Sequence, residues 1–132
     1  MTQPLRLLIL EDNPNDAELN LDELRGAGFD PQWQRVETEA DYIAALDNPP
    51  ELILADYSLP QFDGQTALKL LRERGLEIPF ILVSGAIGEE RAVKLLKGGA
   101  TDYILKDNLA RLVPAVRRAL AEADERARRL LV

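Results

Sequence analysis

A chain of 132 residues with 46% apolar side chains has the length of one domain and enough apolar surface to bury a core. It contains no Cys and no His, which excludes disulfides and thiolate or imidazole metal sites, so any metal would be a hard, oxygen-ligated ion. The net charge of −7, with no long apolar run and no signal-peptide layout, argues against nucleic-acid or membrane binding and predicts a soluble, cytoplasmic protein.

Leu5 to Leu10 is a nearly continuous apolar run and predicts a buried strand. It ends in Glu11 and Asp12, followed by Asn13-Pro14, a capping residue before a helix-starting proline. Ala17, Leu21 and Leu24 recur at helical spacing, and Gly26 and Gly28 stop that helix. Trp33 to Val36 predicts a second, less apolar strand near an edge. Thr38-Glu39-Ala40-Asp41 opens a short helix through Leu46, which Asn48-Pro49-Pro50 ends.

Leu52 to Ala55 is apolar throughout, as a strand covered on both faces requires, and delivers Asp56 to a loop punctuated by Pro60 and Gly64. A helix is expected over Gly64–Arg74, with Ala67, Leu68 and Leu71 on one face. Ile78 to Val83 predicts a fourth strand, with Pro79 near its start, running into Ser84-Gly85. Glu89 to Leu96 is helical, closed by Gly98-Gly99. Asp102 to Leu105 is a fifth strand ending at Lys106, and a long last helix is expected from Leu109 onward.

Strand and helix alternate five times, which predicts an α/β fold: a doubly wound, five-stranded parallel sheet with helices on both faces. Right-handed crossovers leave all strand carboxyl ends on one edge, where such folds bind ligands. Glu11, Asp12, Asp56, Ser84 and Lys106 meet there. Each has a bland alternative as a turn residue or solvated loop; together they suit phosphoryl transfer onto a carboxylate. Clustered carboxylates repel phosphate, so a divalent cation is needed. Lys and a hydroxyl would contact phosphoryl oxygens, which leaves Asp56 free to attack.

With these residues in place, the chain resembles a response-regulator receiver domain of the chemotaxis-regulator kind over essentially its whole length. The likeness rests on the acidic pair, on Asp56 within ADYSLPQFDG, on Ser84, and on GGATDYILK ending at Lys106. It implies the flavodoxin-like strand order 2-1-3-4-5 and a signalling switch rather than a turnover enzyme. Asp56 would accept a phosphoryl group from a histidine kinase or phosphotransfer protein, with self-phosphorylation and autodephosphorylation the only catalysis. Glu11, Asp12, Asp56 and the Ser58 backbone carbonyl would bind Mg²⁺, and Ser84 and Lys106 would hold the phosphoryl oxygens. Tyr103 would be the switch aromatic on a partner surface formed by the fourth helix, fifth strand and fifth helix, and Ser58 and Ala86 would influence phosphoryl lifetime. Three departures stand out. Asp107 replaces the proline that usually follows the lysine, which puts the path of that loop in question. Gly85 stands where Ala is more usual, and Ile87-Gly88-Glu89-Glu90 gives the fourth helix its own start.

Residues 1–132 read as one receiver domain, with 120–132 a helical extension toward an output partner or a dimer. Val116, Leu120, Ala123, Ala127 and Leu130 fall at coiled-coil spacing, a weak seam because two positions are Ala. The output is not written in the chain, which would be a single-domain regulator or a module of something longer. Three other readings compete. An aspartyl-phosphate phosphatase lacks its second Asp two residues on, because Asn13-Pro14 follows Asp12. A flavin or dinucleotide module lacks G-x-G-x-x-G. A degenerate receiver acting only as a docking or dimerisation platform would need no phosphorylation.

Overall fold

The alternation of apolar runs resolves into five parallel strands and five α-helices in a computed structural model, which describes residues 2–57, 59–85 and 88–131. The order is β1 (Gln3–Leu10), α1 (Pro14–Gly26), β2 (Phe29–Val36), α2 (Glu39–Leu46), β3 (Leu52–Ala55) and α3 (Gly64–Glu73). It continues with β4 (Phe80–Ser84), α4 (Glu89–Lys97), β5 (Asp102–Leu105), a 3₁₀ helix over Lys106–Arg111, and α5 (Leu112–Leu130). The strands line up as β2-β1-β3-β4-β5, all parallel, which is the expected doubly wound order.

Side chains alternate across the sheet because successive strand residues point to opposite faces. Leu8, Leu10, Ile53, Ala55, Phe80 and Leu82 pack with α2, α3 and α4 through Tyr42, Leu46, Leu68, Leu71 and Leu95. Leu7, Ile9, Leu52, Leu54, Ile81 and Val83 pack on the other face with Leu21 and Leu24 of α1 and Leu112 and Val116 of α5. β3 and β4, central and covered twice, are buried at every position. That double burial explains why both were legible as unbroken apolar runs.

Helix starts follow their local chemistry. Asn13 accepts a hydrogen bond from Asn15 N, Thr38 from Asp41 N, and Asp63 from Thr66 N, each satisfying a donor the helix leaves open. Gly88, at φ +87°, caps α4 without a side chain.

Several boundaries differ from expectation: β1 starts two residues early at Gln3, α3 ends at Glu73 and α4 at Lys97, and four differences have a clear local cause. β2 begins at Phe29, not Trp33, and includes Pro31. An edge strand allows this. Gln3 N donates to Gly28 O, which in parallel register turns the even-numbered β2 nitrogens toward β1 and the Pro31 nitrogen toward the free edge. β4 begins at Phe80, so Pro79 lies just outside it, its carbonyl accepting from Ile53 N. α1 runs through Gly26, and the chain reverses at Gly28, φ +96°. The segment after Lys106 is a 3₁₀ turn with a kink at Asn108, and α5 starts at Leu112 rather than Leu109. Among the described residues no peptide bond is cis, so Lys106-Asp107 continues in trans into that turn.

α5 is two helices in character. Leu112, Ala115, Val116 and Ala119 are buried on the sheet, whereas Asp124–Leu130 is exposed throughout. Val116, the first position of the expected seam, is therefore occupied by the core, and Ala127 and Leu130 are its exposed positions. No helix among the described residues is long and apolar enough to cross a membrane.

Candidate phosphoacceptor pocket

β1, β3, β4 and β5 deliver their functional residues to the same edge of the sheet. Glu11 follows β1, its N–H donating to Val36 O at 3.0 Å, and its side chain is almost wholly buried. Asp56 follows β3, and its N–H donates to Leu10 O at 2.9 Å, which ties the two strand ends together. Ser84 closes β4 and is buried, and Lys106 follows β5.

Gly64 explains how tightly this edge is built. A Cβ there would stand 3.0 Å from the Asp56 carbonyl oxygen and 3.1 Å from Leu82 Cδ2, tighter than an ordinary contact, so glycine lets α3 start against the Asp56 backbone without displacing it.

The side chains converge. Ser84 Oγ donates to Asp56 Oδ1 at 3.0 Å, and Lys106 Nζ donates to Asp56 Oδ2 at 2.7 Å. The same ammonium lies 2.8 Å from Glu11 Oε1 and 2.8 Å from Asp16 Oδ2. One oxygen from each of Glu11, Asp12 and Asp56 lies within 4.8 Å of the others, close enough for a single ion. An all-oxygen set of three carboxylates suits a hard divalent cation such as Mg²⁺. Asp12 is exposed at the mouth, whereas Glu11 and Asp56 form the floor.

Electrostatics follow from this burial. Desolvation raises the Glu11 carboxyl to about 7, against the lowering influence of Lys106 and of the Asn13 N–H that it accepts; the negative charge of Asp56 pushes the same way as burial. Burial works to lower the Lys106 ammonium, but its hydrogen bonds to Asp16, Asp56 and Glu11 outweigh that and hold it above the ordinary lysine range.

The structure brings together Glu11, Asp12, Asp56, Ser84 and Lys106 as the sequence suggested. Tyr103 is half-buried against the cluster on the α2–α3–α4 face, beside Ile104 of the opposite core. Ser58, the expected carbonyl ligand, and Ala86 lie outside the described residues. Sequence reading missed Asp16. It sits in the first turn of α1, where an acid is ordinary, and only the contact with a lysine ninety positions later sets it apart.

The model of the response regulator receiver domain matches residues 7–117. The chain belongs to that family. It is a receiver of two-component signalling, a class of phosphoacceptors, and its acidic pocket fits that role. It is 37% identical over 112 residues to the transcriptional regulatory protein BaeR of Escherichia coli, covering 83% of this chain and 45% of that protein. It is 36% identical over 131 residues to the phosphate regulon transcriptional regulatory protein PhoB of Klebsiella pneumoniae, covering 91% and 55%. The receiver thus spans about half the length of these relatives. Among solved structures, it superposes on the signal receiver domain of a candidate Luxo repressor protein from Vibrio parahaemolyticus. That match has a TM-score of 0.84 and 27% identity, over 94% of this chain and 95% of that one. The Francisella response regulator 1452 receiver domain shares the fold, with a TM-score of 0.78 at 22% identity over 90% and 98%.

Proposed function

We propose that this receiver is a phosphorylation-dependent switch that accepts a phosphoryl group on Asp56 from a phosphohistidine donor. The observation that carries this reading is the suspension of the Asp56 carboxylate between Ser84 Oγ and Lys106 Nζ, beside Glu11 and Asp12. In the transfer an Asp56 oxygen forms a bond to phosphorus while the phosphorus–nitrogen bond of the donor breaks, and the electron pair stays on the imidazole. Glu11, Asp12 and Asp56 would hold Mg²⁺, joined by the Ser58 carbonyl. When bound, the ion would supply positive charge that offsets the repulsion between the carboxylates and an incoming phosphoryl group. Lys106 supplies a further point charge and Ser84 a hydroxyl donor, each already within hydrogen-bond reach of the reacting carboxylate.

The product gains about 1.5 to 2 negative charges and new acceptor oxygens. Ser84 follows the phosphoryl group inward, and the space it leaves admits the half-buried Tyr103, which alters the surface of α4, β5 and α5. A histidine kinase or phosphotransfer protein is the donor. The exposed distal turns of α5, Asp124–Leu130, are where an output partner or a second copy engages. The same pocket returns the aspartyl phosphate to carboxylate by hydrolysis.

Intact mass after incubation with acetyl phosphate tests this. One added phosphoryl group is expected in the wild type with Mg²⁺, and none without Mg²⁺ or in Asp56→Asn. An adduct that survives in Asp56→Asn would overturn the assignment of the acceptor. The absence of any adduct, with no binding of beryllofluoride, would make the chain a docking platform.

A further inference from the structure

Lys106 carries more anionic contact than its role toward a phosphoryl group requires. An ammonium has three N–H donors, and the three oxygens around Nζ, from Glu11, Asp16 and Asp56, lie 2.7 to 2.8 Å away. Two of those carboxylates belong to the oxygen cluster that fits a divalent cation; Asp16 does not. Lys106 and an incoming cation therefore share the carboxylates of Glu11 and Asp56. A metal that binds those carboxylates leaves the lysine beside a like charge and draws their negative charge away from it, while Asp16 stays outside the cluster as a close anion.

We propose that Asp16 is a positioning residue that acts through Lys106. It offers the ammonium an anion on α1 outside the shared carboxylates, so that a divalent cation and the lysine can occupy the pocket together. This inference rests on the phosphoacceptor reading and adds a residue to it. The geometry suits the task. Asp16 is anchored in the first helical turn, one residue before buried Ala17, so its carboxylate is presented from a fixed backbone. Its side chain is 31% exposed, so it keeps enough solvent contact to remain a counter-ion without entering the metal cluster. In Asp16→Asn, Lys106 falls back fully onto Glu11 and Asp56 and opposes the cation there.

The experiment is Mg²⁺ titration by calorimetry of the wild type, Asp16→Asn, Lys106→Met and the double variant, with circular dichroism to check each fold. Glu18→Gln serves as a charge control, because Glu18 is an exposed residue of the same helix paired with Arg25. Groups that orient metal-site residues change metal affinity by about 10- to 100-fold, and a partly exposed one belongs at or below the lower end, so Asp16→Asn is expected to weaken Mg²⁺ by about three- to tenfold. Lys106→Met tightens it. In the Lys106→Met background, adding Asp16→Asn changes the affinity by less than about twofold, which is the signature of action through the lysine. Asp16→Glu, which keeps the carboxylate, recovers part of the loss, and Asp16→Ala serves in place of Asp16→Asn if that variant does not fold. Equal affinity in wild type and Asp16→Asn overturns the inference, as does the same loss with and without Lys106. Wild-type protein that binds no Mg²⁺ overturns the phosphoacceptor reading and this inference with it.

Discussion

The two edges of the sheet use the same residue types to opposite ends. At the carboxyl edge, Glu11, Asp56 and Lys106 are largely withdrawn from water and bonded at 2.7 to 2.8 Å. At the amino edge, Arg6 and Glu51 approach to 3.7 Å with about half of each side chain in solvent, 53% and 46%. The amino edge also carries a groove of about 640 Å³ bordered by Leu5, Phe29, Pro79, Arg117 and Leu120. Buried charge marks the working edge, because groups cut off from water must answer one another, whereas exposed ones are answered by solvent and salt.

The comparison breaks most readily at Lys106. Lys106→Met leaves Glu11 and Asp56 without the ammonium they share, and an uncompensated buried charge is costly. The expected loss is about 2 kcal/mol of unfolding free energy near pH 8 in urea, narrowed by added Mg²⁺. A loss no larger than that of a surface pair would mean the carboxyl edge is as solvated as the amino edge.

Gly64→Ala probes the packing behind the pocket. Its Cβ would meet the Asp56 carbonyl at 3.0 Å, so the contact must give by a few tenths of an ångström, at an expected cost of about 1 to 2 kcal/mol, read as a lower urea midpoint. An unchanged midpoint would show that the edge yields freely.

Titration separates the edges next. Glu11 is raised to about 7 from an ordinary 4.5, so the folded chain holds this proton more tightly than the unfolded chain does. Its contribution to stability in the absence of metal is present below about 4.5 and falls away as pH rises toward about 7. Metal must displace that proton, so Mg²⁺ affinity should climb by up to about tenfold per pH unit in this window and level off above it. Calorimetry from pH 5.5 to about 8 checks this, and Glu11→Gln should flatten the profile.

The smallest effect belongs to the amino edge. Arg6→Ala should change unfolding free energy by less than about 1 kcal/mol, and the change should shrink further in high salt.

What was legible in the sequence divides along the same lines. β3 and β4 could be read because both faces are buried, and the pocket residues because each ends a strand in a parallel sheet. The first half of β2 is not legible because Asp30-Pro31-Gln32 has no apolar run and Pro31 offers no N–H, and its edge position makes that tolerable. Asp16 was invisible because nothing local to α1 distinguishes it; its meaning depends on a lysine that the fold brings to it from the far end of the chain. The 3₁₀ turn at Lys106 was missed because neither an apolar period nor a cap announces it, and α5 therefore appeared to start at Leu109.

Pro31 has a consequence for how copies of this chain can meet. A sheet offers its unpaired backbone groups at its two outer strands, and another chain can add itself there as a further strand. On β2 the outward nitrogens belong to the odd-numbered residues, and the one at Pro31 carries no hydrogen, which interrupts the row that a visitor would have to match. At the opposite border β5 is only four residues long. Both margins are poor templates for strand addition, so growth into one continuous sheet through many copies is disfavoured by the fold itself.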